Sequence, residues 1–228
     1  MSLAAPTPRP MIAHIYDEKP ASYFSNARHD IVALLETGSN ATILELGCGS
    51  GGTGRAVLAA GKAGRYVGIE LNEAAASVAA ESLSEVLVGD VQTLSLESYS
   101  DQFDALIISE VLEHLTDPWD VLRKLVTCVK VGGAIYASSP NIAYWGVLKE
   151  LFLGRFEYRP SGMMDRTHLR WFTPGSFSDL FETSGVKIKF LRPMRAPGWK
   201  AQALNGLTGG RLSHLFMAQM FVCGHRAR

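Results

Sequence analysis

The chain has 228 residues, of which 47% are hydrophobic, and its 22 basic side chains are balanced by 22 acidic ones. This length and composition suit one globular domain with a sizeable core and exclude an intrinsically disordered chain. A formal charge of zero argues against a nucleic-acid-binding protein, because contacts to phosphates need a basic excess.

Strands and helices alternate along the first two thirds of the chain, after a Pro-rich arm (residues 1–20) and a first helix that together occupy residues 1–38. Apolar residues at helical spacing predict that this helix runs from Tyr23 to Glu36. The alternation predicts a parallel sheet with helices on both faces. The predicted strands are Thr42–Leu46, Tyr66–Ile69, Glu85–Val88, Phe103–Ser109 and Ala134–Ser138, and the helices between them are Arg55–Ala60, Glu73–Leu83 and Trp119–Val129.

The alternation stops after the fifth strand. Residues 140–173 combine aromatic and charged side chains without a strand pattern, and they indicate an irregular insert. A helix over Phe177–Ser184, a strand over Val186–Leu191 and a final strand near Phe216–Cys223 follow it. No break in composition divides the chain, so we expect residues 1–228 to form a single domain.

The cysteines and the apolar stretches bear on where the protein resides. Cys48, Cys128 and Cys223 are far apart and form no C-x-x-C pair, so we expect neither disulfides nor a structural zinc site. No apolar stretch approaches the roughly 20 residues that a membrane-spanning helix needs. We therefore expect a cytoplasmic protein with no integral membrane segment and no nucleic-acid partner. The sequence leaves open whether the chain forms a homo-oligomer.

A glycine-rich loop directly follows the first predicted strand. Glycines there permit a tight turn and let a ligand approach the backbone, and the N–H groups at the start of the next helix favour an anionic group. Gly47, Gly49 and Gly52 fit the dinucleotide pattern G-x-G-x-x-G, whereas Glu45 with Gly47, Gly49 and Gly51 fits the pattern [DE]-x-G-x-G-x-G. A turn that binds no ligand fits the same glycines.

Acidic residues end the next two strands. Glu70 ends the second strand, where a carboxylate can accept hydrogen bonds from ribose hydroxyls. Asp90 ends the third strand, where it can accept a hydrogen bond from an adenine amine. Because the carboxyl ends of parallel strands meet at one edge of a sheet, we expect both acids and Glu45 to face one ligand.

The segment from Phe103 to Leu115 contains the run E-V-L-E-H, and Gly132-Gly133 precedes the fifth strand. With the glycine loop and the ordered acids, these features resemble the class I S-adenosylmethionine-dependent methyltransferases over roughly residues 40–140. The resemblance implies a Rossmann-like α/β fold with a mostly parallel seven-stranded sheet, an antiparallel last strand and a small insert after strand five. An NAD-dependent oxidoreductase is disfavoured by Glu45, Asp90 and the E-V-L-E-H run.

The same resemblance implies S-adenosylmethionine as cofactor and S-adenosylhomocysteine as product. The glycines would lie against the methionine part with Glu45 near its amino group, Glu70 would hold the ribose, and Asp90 would face the adenine. The implied cofactor-binding residues are Glu45, Gly47, Gly49, Gly51, Glu70, Leu71, Asp90, Val91 and Glu110.

Three residues are candidates for catalysis, since a hydroxyl acceptor can need a base to remove its proton. His114 follows strand four and is either this base or a histidine with a structural role. Asp165 and His168 are three residues apart, so one helical turn would put them on one face. We predict His168 as the base and Asp165 as the residue that orients it. The alternative is a structural ion pair of Asp165 with Arg166 or His168.

The insert also bears on the acceptor. Residues 144–152 carry an apolar stripe that is either core packing or a wall for an acceptor or partner, and four arginines follow it. The insert resembles a subgroup associated with glycosyltransferases and quinone-type O-methyltransferases, which implies a hydroxyl on a sugar, a glycan or another small molecule. The alternatives are a quinone- or methionine-pathway-type methyltransferase and a non-catalytic regulator that binds S-adenosylmethionine. No ligand spacing such as H-x-x-x-H occurs, so we predict no metal.

Overall fold

In the computed structural model, which describes residues 19–228, seven strands form one sheet in the order β3-β2-β1-β4-β5-β7-β6. The first five strands are parallel, and β7 lies antiparallel between β5 and β6. The predicted mixed sheet with an antiparallel last strand is confirmed. The strands are β1 (Thr42–Leu46), β2 (Arg65–Glu70), β3 (Glu85–Val88), β4 (Phe103–Ser109), β5 (Val129–Pro140), β6 (Val186–Pro193) and β7 (Gln219–Arg226).

Helices cover both faces of the sheet. Strand β4 shows this directly, because Leu106 and Ile108 belong to one apolar core while Ile107 belongs to the other. Both cores draw on helices, so the nearly all-apolar sequence of β4 reflects burial on two sides. The helices are α1 (Ala21–Phe24), α2 (His29–Leu34), α3 (Gly52–Ala59), α4 (Glu73–Ala80), α5 (Pro118–Cys128), α6 (Trp145–Phe152), α7 (Pro174–Thr183) and α8 (Trp199–Leu207).

The single helix predicted from Tyr23 to Glu36 is wrong. The chain forms two short helices, α1 and α2, separated by residues 25–28. The carbonyl oxygen of Phe24 accepts hydrogen bonds from the main-chain N–H and the hydroxyl of Ser50, each 2.9 Å long, so this contact with the glycine loop takes the place of continued helix. The predicted N-terminal arm lies outside the described residues apart from Lys19 and Pro20.

Several predicted boundaries also differ from the structure. Helix α7 begins at Pro174 because Thr173 and Ser176 form a capping box ahead of the predicted start. Strand β5 begins at Val129, so Gly132 and Gly133, which were predicted to precede it, lie within it at an irregularity in its pairing with β4. The last strand, predicted near Phe216–Cys223, runs over Gln219–Arg226, because residues 213–216 form a short 3-10 helix.

The insert over 140–173 contains α6 followed by turns. An isolated bridge joins Asn141 to Phe172, so the two ends of the insert lie side by side, and a second bridge joins Arg159 to Asp165 within it. In the part of the chain that the structure describes, no helix combines the length and the apolar character needed to cross a bilayer.

Candidate active site

A cavity of about 830 Å³ opens at the carboxyl ends of the parallel strands. Its wall includes the residues that follow β1, β2, β3 and β4, which is the edge of the sheet where open α/β folds bind ligands. Of the nine predicted cofactor-binding residues, eight line this cavity: Glu45, Gly47, Gly49, Glu70, Leu71, Asp90, Val91 and Glu110.

The glycine loop approaches its neighbours too closely for side chains. Gly47 and Gly49 have φ angles of +74° and +54°, in the left-handed region that favours glycine. A Cβ atom on Gly47 would lie 2.5 Å from Val111, and one on Gly49 would lie 2.4 Å from the carbonyl oxygen of Phe24. Gly51 instead lies at the start of α3 against α4 and is not part of the cavity wall, so its contact with the cofactor stays a prediction.

Glu45 is a buried carboxyl group in the wall of the cavity. The hydroxyl of Tyr66 donates a hydrogen bond of 2.9 Å to its Oε2. Burial raises the pKa of Glu45 to about 7, against the opposing effect of hydrogen bonds from Tyr66 and Thr53. Close to neutral pH, this carboxyl group therefore changes between its neutral and ionised forms.

Glu70 ties the glycine loop to the end of β2. Its Oε2 accepts a hydrogen bond of 2.8 Å from the N–H of Gly49, and its Oε1 accepts one of 2.8 Å from the N–H of Asn72. Burial raises its pKa, and these main-chain hydrogen bonds oppose the rise. Each carboxylate oxygen has a second acceptor site, so Glu70 can also bind hydroxyls of a ligand.

Asp90 and Val91 form the part of the wall that follows β3. The Oδ1 of Asp90 accepts a hydrogen bond of 2.9 Å from the N–H of Gln92, which fixes the carboxylate at the cavity. Val91 is buried and offers an apolar surface beside it. The pairing of an acceptor with an apolar surface suits a planar ring that carries an amine.

Glu110 has an unusual backbone and an unusual side chain. Its φ of +55° is rare for a residue other than glycine, and such strain is common at functional sites. Its Oε2 accepts a hydrogen bond of 3.1 Å from Gln219, whereas its Oε1 is buried without a hydrogen-bond partner among residues 19–228. Burial raises the pKa of Glu110.

Arg28 is a cavity residue that the sequence analysis missed. It follows α1, where a continuous helix was predicted, and no local pattern marks it as a ligand-binding residue. Its guanidinium group donates hydrogen bonds to Ser109 and, over 3.0 Å, to Ser138, and it pairs with Asp30 at 2.9 Å. It is a cation in a wall that is otherwise rich in acids.

His114 lines the cavity at the end of the E-V-L-E-H run. Its Nδ1 lies 3.2 Å from the carbonyl oxygen of Thr167 and 3.0 Å from the hydroxyl of Thr167, which itself donates a hydrogen bond of 2.8 Å to Asp165. Because a carbonyl oxygen only accepts hydrogen bonds, Nδ1 carries the proton. Burial lowers the pKa of His114 to about 4, so at neutral pH the ring is neutral with its lone pair on Nε2.

A single turn, without a helix, joins Asp165 to His168, because the N–H of His168 donates a hydrogen bond of 3.0 Å to the carbonyl oxygen of Asp165. The carboxylate of Asp165 binds Thr167 and, at 2.7 Å, the ammonium group of Lys19. The Nδ1 of His168 instead lies 3.1 Å from the carbonyl oxygen of Met163, and its ring packs edge-on against His114 at 4.7 Å between centroids. Neither Asp165 nor His168 belongs to the wall of the cavity.

Three buried side chains, one of which lines the cavity, could hold a metal ion. Glu113, His114 and His168 each offer one ligand atom, and these atoms lie within 4.8 Å of one another. An Oε2 of Glu113 accepts a hydrogen bond of 3.1 Å from Ser139, and burial raises the pKa of this carboxyl group well above its usual value. The absence of a metal from the functional site therefore stays a prediction.

A second cavity, of about 250 Å³, adjoins the first. Both are lined by Met194, Arg195 and Gln219. Tyr144 and Trp145, at the start of α6, also line the second cavity. Of the apolar side chains over residues 144–152, only Val147 is buried, whereas Trp145, Leu148, Leu151 and Phe152 of the predicted stripe are exposed, so the stripe does not belong to the core.

One segment of the chain matches a known protein family. Residues 44–135 match a protein family described as "Methyltransferase domain". The chain is 26% identical over 169 residues to the ubiquinone biosynthesis O-methyltransferase of Hydrogenovibrio crunogenus, a match that covers 71% of this chain and 68% of that one. It is 35% identical over 104 residues to the enzyme of the same name from Stutzerimonas stutzeri, which covers 43% of this chain and 44% of that one.

Solved structures match over nearly the whole chain. The S-adenosylmethionine-dependent methyltransferase from Mesorhizobium loti is 18% identical, with a TM-score of 0.60 over 92% of this chain and 99% of that one. A second S-adenosylmethionine-dependent methyltransferase, from Archaeoglobus fulgidus, is also 18% identical, with a TM-score of 0.63 over 90% and 97% of the two chains. At these identities, the likeness establishes the fold.

Proposed function

Because residues 44–135 match a methyltransferase domain and the fold is that of S-adenosylmethionine-dependent methyltransferases, we propose that this chain is a class I S-adenosylmethionine-dependent methyltransferase that transfers a methyl group to a hydroxyl of a small-molecule acceptor. The observation that carries the proposal is the convergence of four acids on one cavity. Glu45, Glu70, Asp90 and Glu110 line it in the order in which the strands deliver them. An acidic wall suits a cofactor that carries a positive sulfonium and an ammonium group.

The wall offers a partner for each part of the cofactor. We assign the ammonium group to Glu45, the ribose hydroxyls to Glu70 and the adenine amine to Asp90. Leu71 and Val91 then flank the adenine ring, and Arg28 binds the methionine carboxylate, since a guanidinium group is the preferred partner of a carboxylate. The glycines at 47 and 49 fit this assignment, because a Cβ atom at either position would collide with Val111 or Phe24.

When bound, S-adenosylmethionine supplies a methyl group that is already activated for transfer. The chain itself must then hold the acceptor in line, exclude water and take the proton from the acceptor hydroxyl. We propose His114 as the base, because its ring lines the cavity and its Nδ1–H is held by Thr167. Asp165 then acts as a positioning residue through Thr167, and His168 packs against the base.

Two acceptor classes fit the proposal. The resemblance of the insert points to a hydroxyl on a sugar or glycan, whereas the names of the relatives from Hydrogenovibrio crunogenus and Stutzerimonas stutzeri point to a hydroxyl of an acceptor in ubiquinone biosynthesis. The second cavity, with Tyr144, Trp145 and Phe216 in its wall, offers aromatic surfaces to either kind of ring. We therefore propose a hydroxyl as the acceptor group. The methyl-transfer assay below shows whether an aromatic ring or a sugar ring carries it.

The first experiment measures binding of S-adenosylhomocysteine and of NAD by isothermal titration calorimetry. We expect micromolar affinity for S-adenosylhomocysteine and none for NAD, and failure to bind S-adenosylhomocysteine would refute the proposal. The second experiment follows transfer of a labelled methyl group to catechols and to sugar glycosides, with and without EDTA. Binding without transfer to any acceptor would favour the non-catalytic regulator, and loss of transfer in EDTA would refute the metal-free site.

The base is tested by comparing His114→Ala with His168→Ala. We expect His114→Ala to lower kcat by about 10²–10⁴-fold, with little change in the affinity for S-adenosylhomocysteine. His168→Ala removes a packing partner and should have a much smaller effect on kcat. If His168→Ala lowers kcat far more than His114→Ala does, His168 is the base, as the sequence predicts.

A further inference from the structure

Arg195 lies where the two cavities meet. It follows β6, and it lines both the proposed cofactor cavity and the second cavity. The main-chain N–H of the preceding residue, Met194, donates a hydrogen bond of 3.0 Å to the carbonyl oxygen of Gln219 on β7. This hydrogen bond ties the chain to the sheet directly before Arg195, so the backbone holds the arginine at a fixed point of the fold.

The guanidinium group of Arg195 has no hydrogen-bond or ion-pair partner among residues 19–228. Arg28, the other arginine in the wall of the cofactor cavity, differs in this respect, because it binds Asp30, Ser109 and Ser138. A guanidinium group carries five N–H donors in a planar fork that matches a carboxylate or a phosphate. The donors of Arg195 are therefore available to a ligand of the cavities.

The second cavity is positively charged. Among the described residues that line it, Arg195 is the only charged one, and none is a carboxylate. The cofactor cavity has the opposite character, because its acids outnumber its two arginines. Glu110 does not neutralise Arg195, since its carboxylate instead accepts a hydrogen bond of 3.1 Å from Gln219, which stands at the junction of the two cavities. The unpaired charge therefore favours an anionic group in or beside the second cavity.

Size and lining limit what else this ligand contains. The volume of about 250 Å³ is below the roughly 300–1,000 Å³ of pockets that enclose drug-sized ligands, so it suits a single ring. Tyr144, Trp145 and Phe216 offer aromatic faces on which such a ring can pack. The second cavity thus combines a surface for a ring with one cation at the side that opens to the cofactor cavity.

We propose that Arg195 selects methyl acceptors whose ring carries an anionic group, a carboxylate or a phosphate, in addition to the hydroxyl. The ring packs in the second cavity, the anionic group binds Arg195, and the hydroxyl enters the cofactor cavity, whose wall includes His114. Arg195 positions the acceptor and takes no part in the transfer itself. The assignment of the second cavity to the acceptor rests on the proposed function.

The test compares ligands of the same shape that differ in charge. Isothermal titration calorimetry of the full chain, saturated with S-adenosylhomocysteine, measures the affinity for 3,4-dihydroxybenzoate against 3,4-dihydroxybenzamide, and for glucose 6-phosphate against glucose. We expect a charged ligand to bind about tenfold or more tightly than its neutral partner, and the pair that shows this preference distinguishes a carboxylate from a phosphate. Absence of the preference in both pairs would overturn the proposal.

Arg195→Gln then locates the preference. This variant removes the charge but keeps a polar side chain, so the charged and neutral ligands should bind to it within about twofold of each other. Arg192→Gln is the matched control, because Arg192 is exposed, stacks on Phe190 at 4.8 Å and lines neither cavity. It should keep the preference of the wild type. A preference that persists in Arg195→Gln would place the anion elsewhere and contradict the proposal.

The affinity for S-adenosylhomocysteine distinguishes the main alternative, in which Arg195 binds the methionine carboxylate of the cofactor. We expect Arg195→Gln to leave this affinity within about twofold of the wild type, because Arg28 is assigned to that carboxylate. A fall of about tenfold or more would assign Arg195 to the cofactor and overturn the proposal. An unchanged Tm of the free protein shows that the variant is folded.

The methyl-transfer assay separates positioning of the acceptor from a structural role. With the charged acceptor, Arg195→Gln should raise KM about tenfold or more and leave kcat nearly unchanged, because the anionic group binds equally in the ground state and the transition state. With the neutral acceptor, KM should not change. An equal rise of KM for both acceptors would make the role of Arg195 structural.

The two proposals can fail separately. A charge preference in binding that depends on Arg195, without methyl transfer to any acceptor, would refute methyl transfer and leave the anion site in place. Methyl transfer without any charge preference would refute the anion site and leave the proposed function in place.

Discussion

The carboxyl group of Glu45 is a cavity group whose charge changes with pH near neutrality. Burial raises its pKa to about 7, while Tyr66 donates a hydrogen bond to it and Glu70 and Arg28 act on it electrostatically with opposite signs. A neutral carboxyl group binds an ammonium group less well than a carboxylate does. Affinity for the cofactor should therefore follow the ionisation of Glu45.

We expect the affinity for S-adenosylhomocysteine to rise by about tenfold between pH 6 and pH 8, as Glu45 passes from mostly protonated to mostly ionised. Glu45→Gln should bind more weakly than the wild type and lose this pH dependence. Calorimetric titrations at pH 6, 7 and 8 measure both effects. An affinity that is constant with pH in the wild type, or that rises equally in Glu45→Gln, would show that another group is responsible.

Thr167 is the residue through which Asp165 reaches His114. Its hydroxyl donates to Asp165 at 2.8 Å and lies 3.0 Å from Nδ1 of His114. Thr167→Val keeps the shape but removes both contacts, so we expect kcat to fall by about tenfold, the equivalent of one hydrogen bond, with the affinity for S-adenosylhomocysteine unchanged.

Thr167→Ser keeps the hydroxyl and serves as the control for this substitution. Its kcat should remain within about twofold of the wild type, since the same two hydrogen bonds can form. Steady-state assays of both variants, with unfolding followed by circular dichroism, separate positioning from loss of structure. A serine variant as slow as the valine variant would show that the methyl group, and not the hydroxyl, is what matters.

At the scale of elements, the sequence predicts what local pattern and strand order determine. The strands β1 to β4 and the acids at their ends follow from apolar runs and from glycines, which act over a few residues. The break between α1 and α2 was missed because its cause is a contact between Phe24 and Ser50, and Arg28 was missed with it. The contact between His114 and Thr167 spans 53 positions in sequence, so no spacing rule could predict it.

Lys19 and Asp165 join the N-terminal segment to the insert. Their side chains are only 8% and 3% exposed, and the ammonium group also donates a hydrogen bond of 2.6 Å to the carbonyl oxygen of Pro160. Tyr23, which lines the cofactor cavity, lies beneath the same ammonium group at 4.8 Å. The ion pair therefore fixes two segments that meet beside the proposed active site.

Removing one member of this pair should be strongly destabilising, because it leaves a buried charge without its partner. We expect Lys19→Ala to lower the free energy of unfolding by about 3–5 kcal/mol, and Asp165→Asn in the same chain to recover part of the loss. Lys187→Ala, on the exposed part of β6, is the control and should change stability by less than about 0.5 kcal/mol. Urea unfolding measures all three, and a loss below 1 kcal/mol in Lys19→Ala would contradict burial of the pair.

At the scale of the whole molecule, the zero net charge conceals an uneven distribution. In the wall of the cofactor cavity acids outnumber the two arginines, Arg28 and Arg195, whereas residues 194–212 carry only basic charges. Bringing Glu45, Glu70 and Glu110 together in a buried wall is costly for the empty protein, as their raised pKa values indicate. A ligand that complements this wall should therefore stabilise the entire fold.

Ligand binding to the native state alone stabilises it by about 2.7 kcal/mol when the ligand is 100-fold above its Kd. For a domain of this size each kcal/mol corresponds to roughly 2–4 °C in Tm, so saturating S-adenosylhomocysteine should raise Tm by about 5–11 °C. NAD at the same concentration should leave Tm unchanged, because it lacks the ammonium group that we assign to Glu45. Differential scanning calorimetry measures both shifts. Equal shifts with the two ligands would mean that the acidic wall does not discriminate between them, and Glu45→Gln should then show the same shift as the wild type.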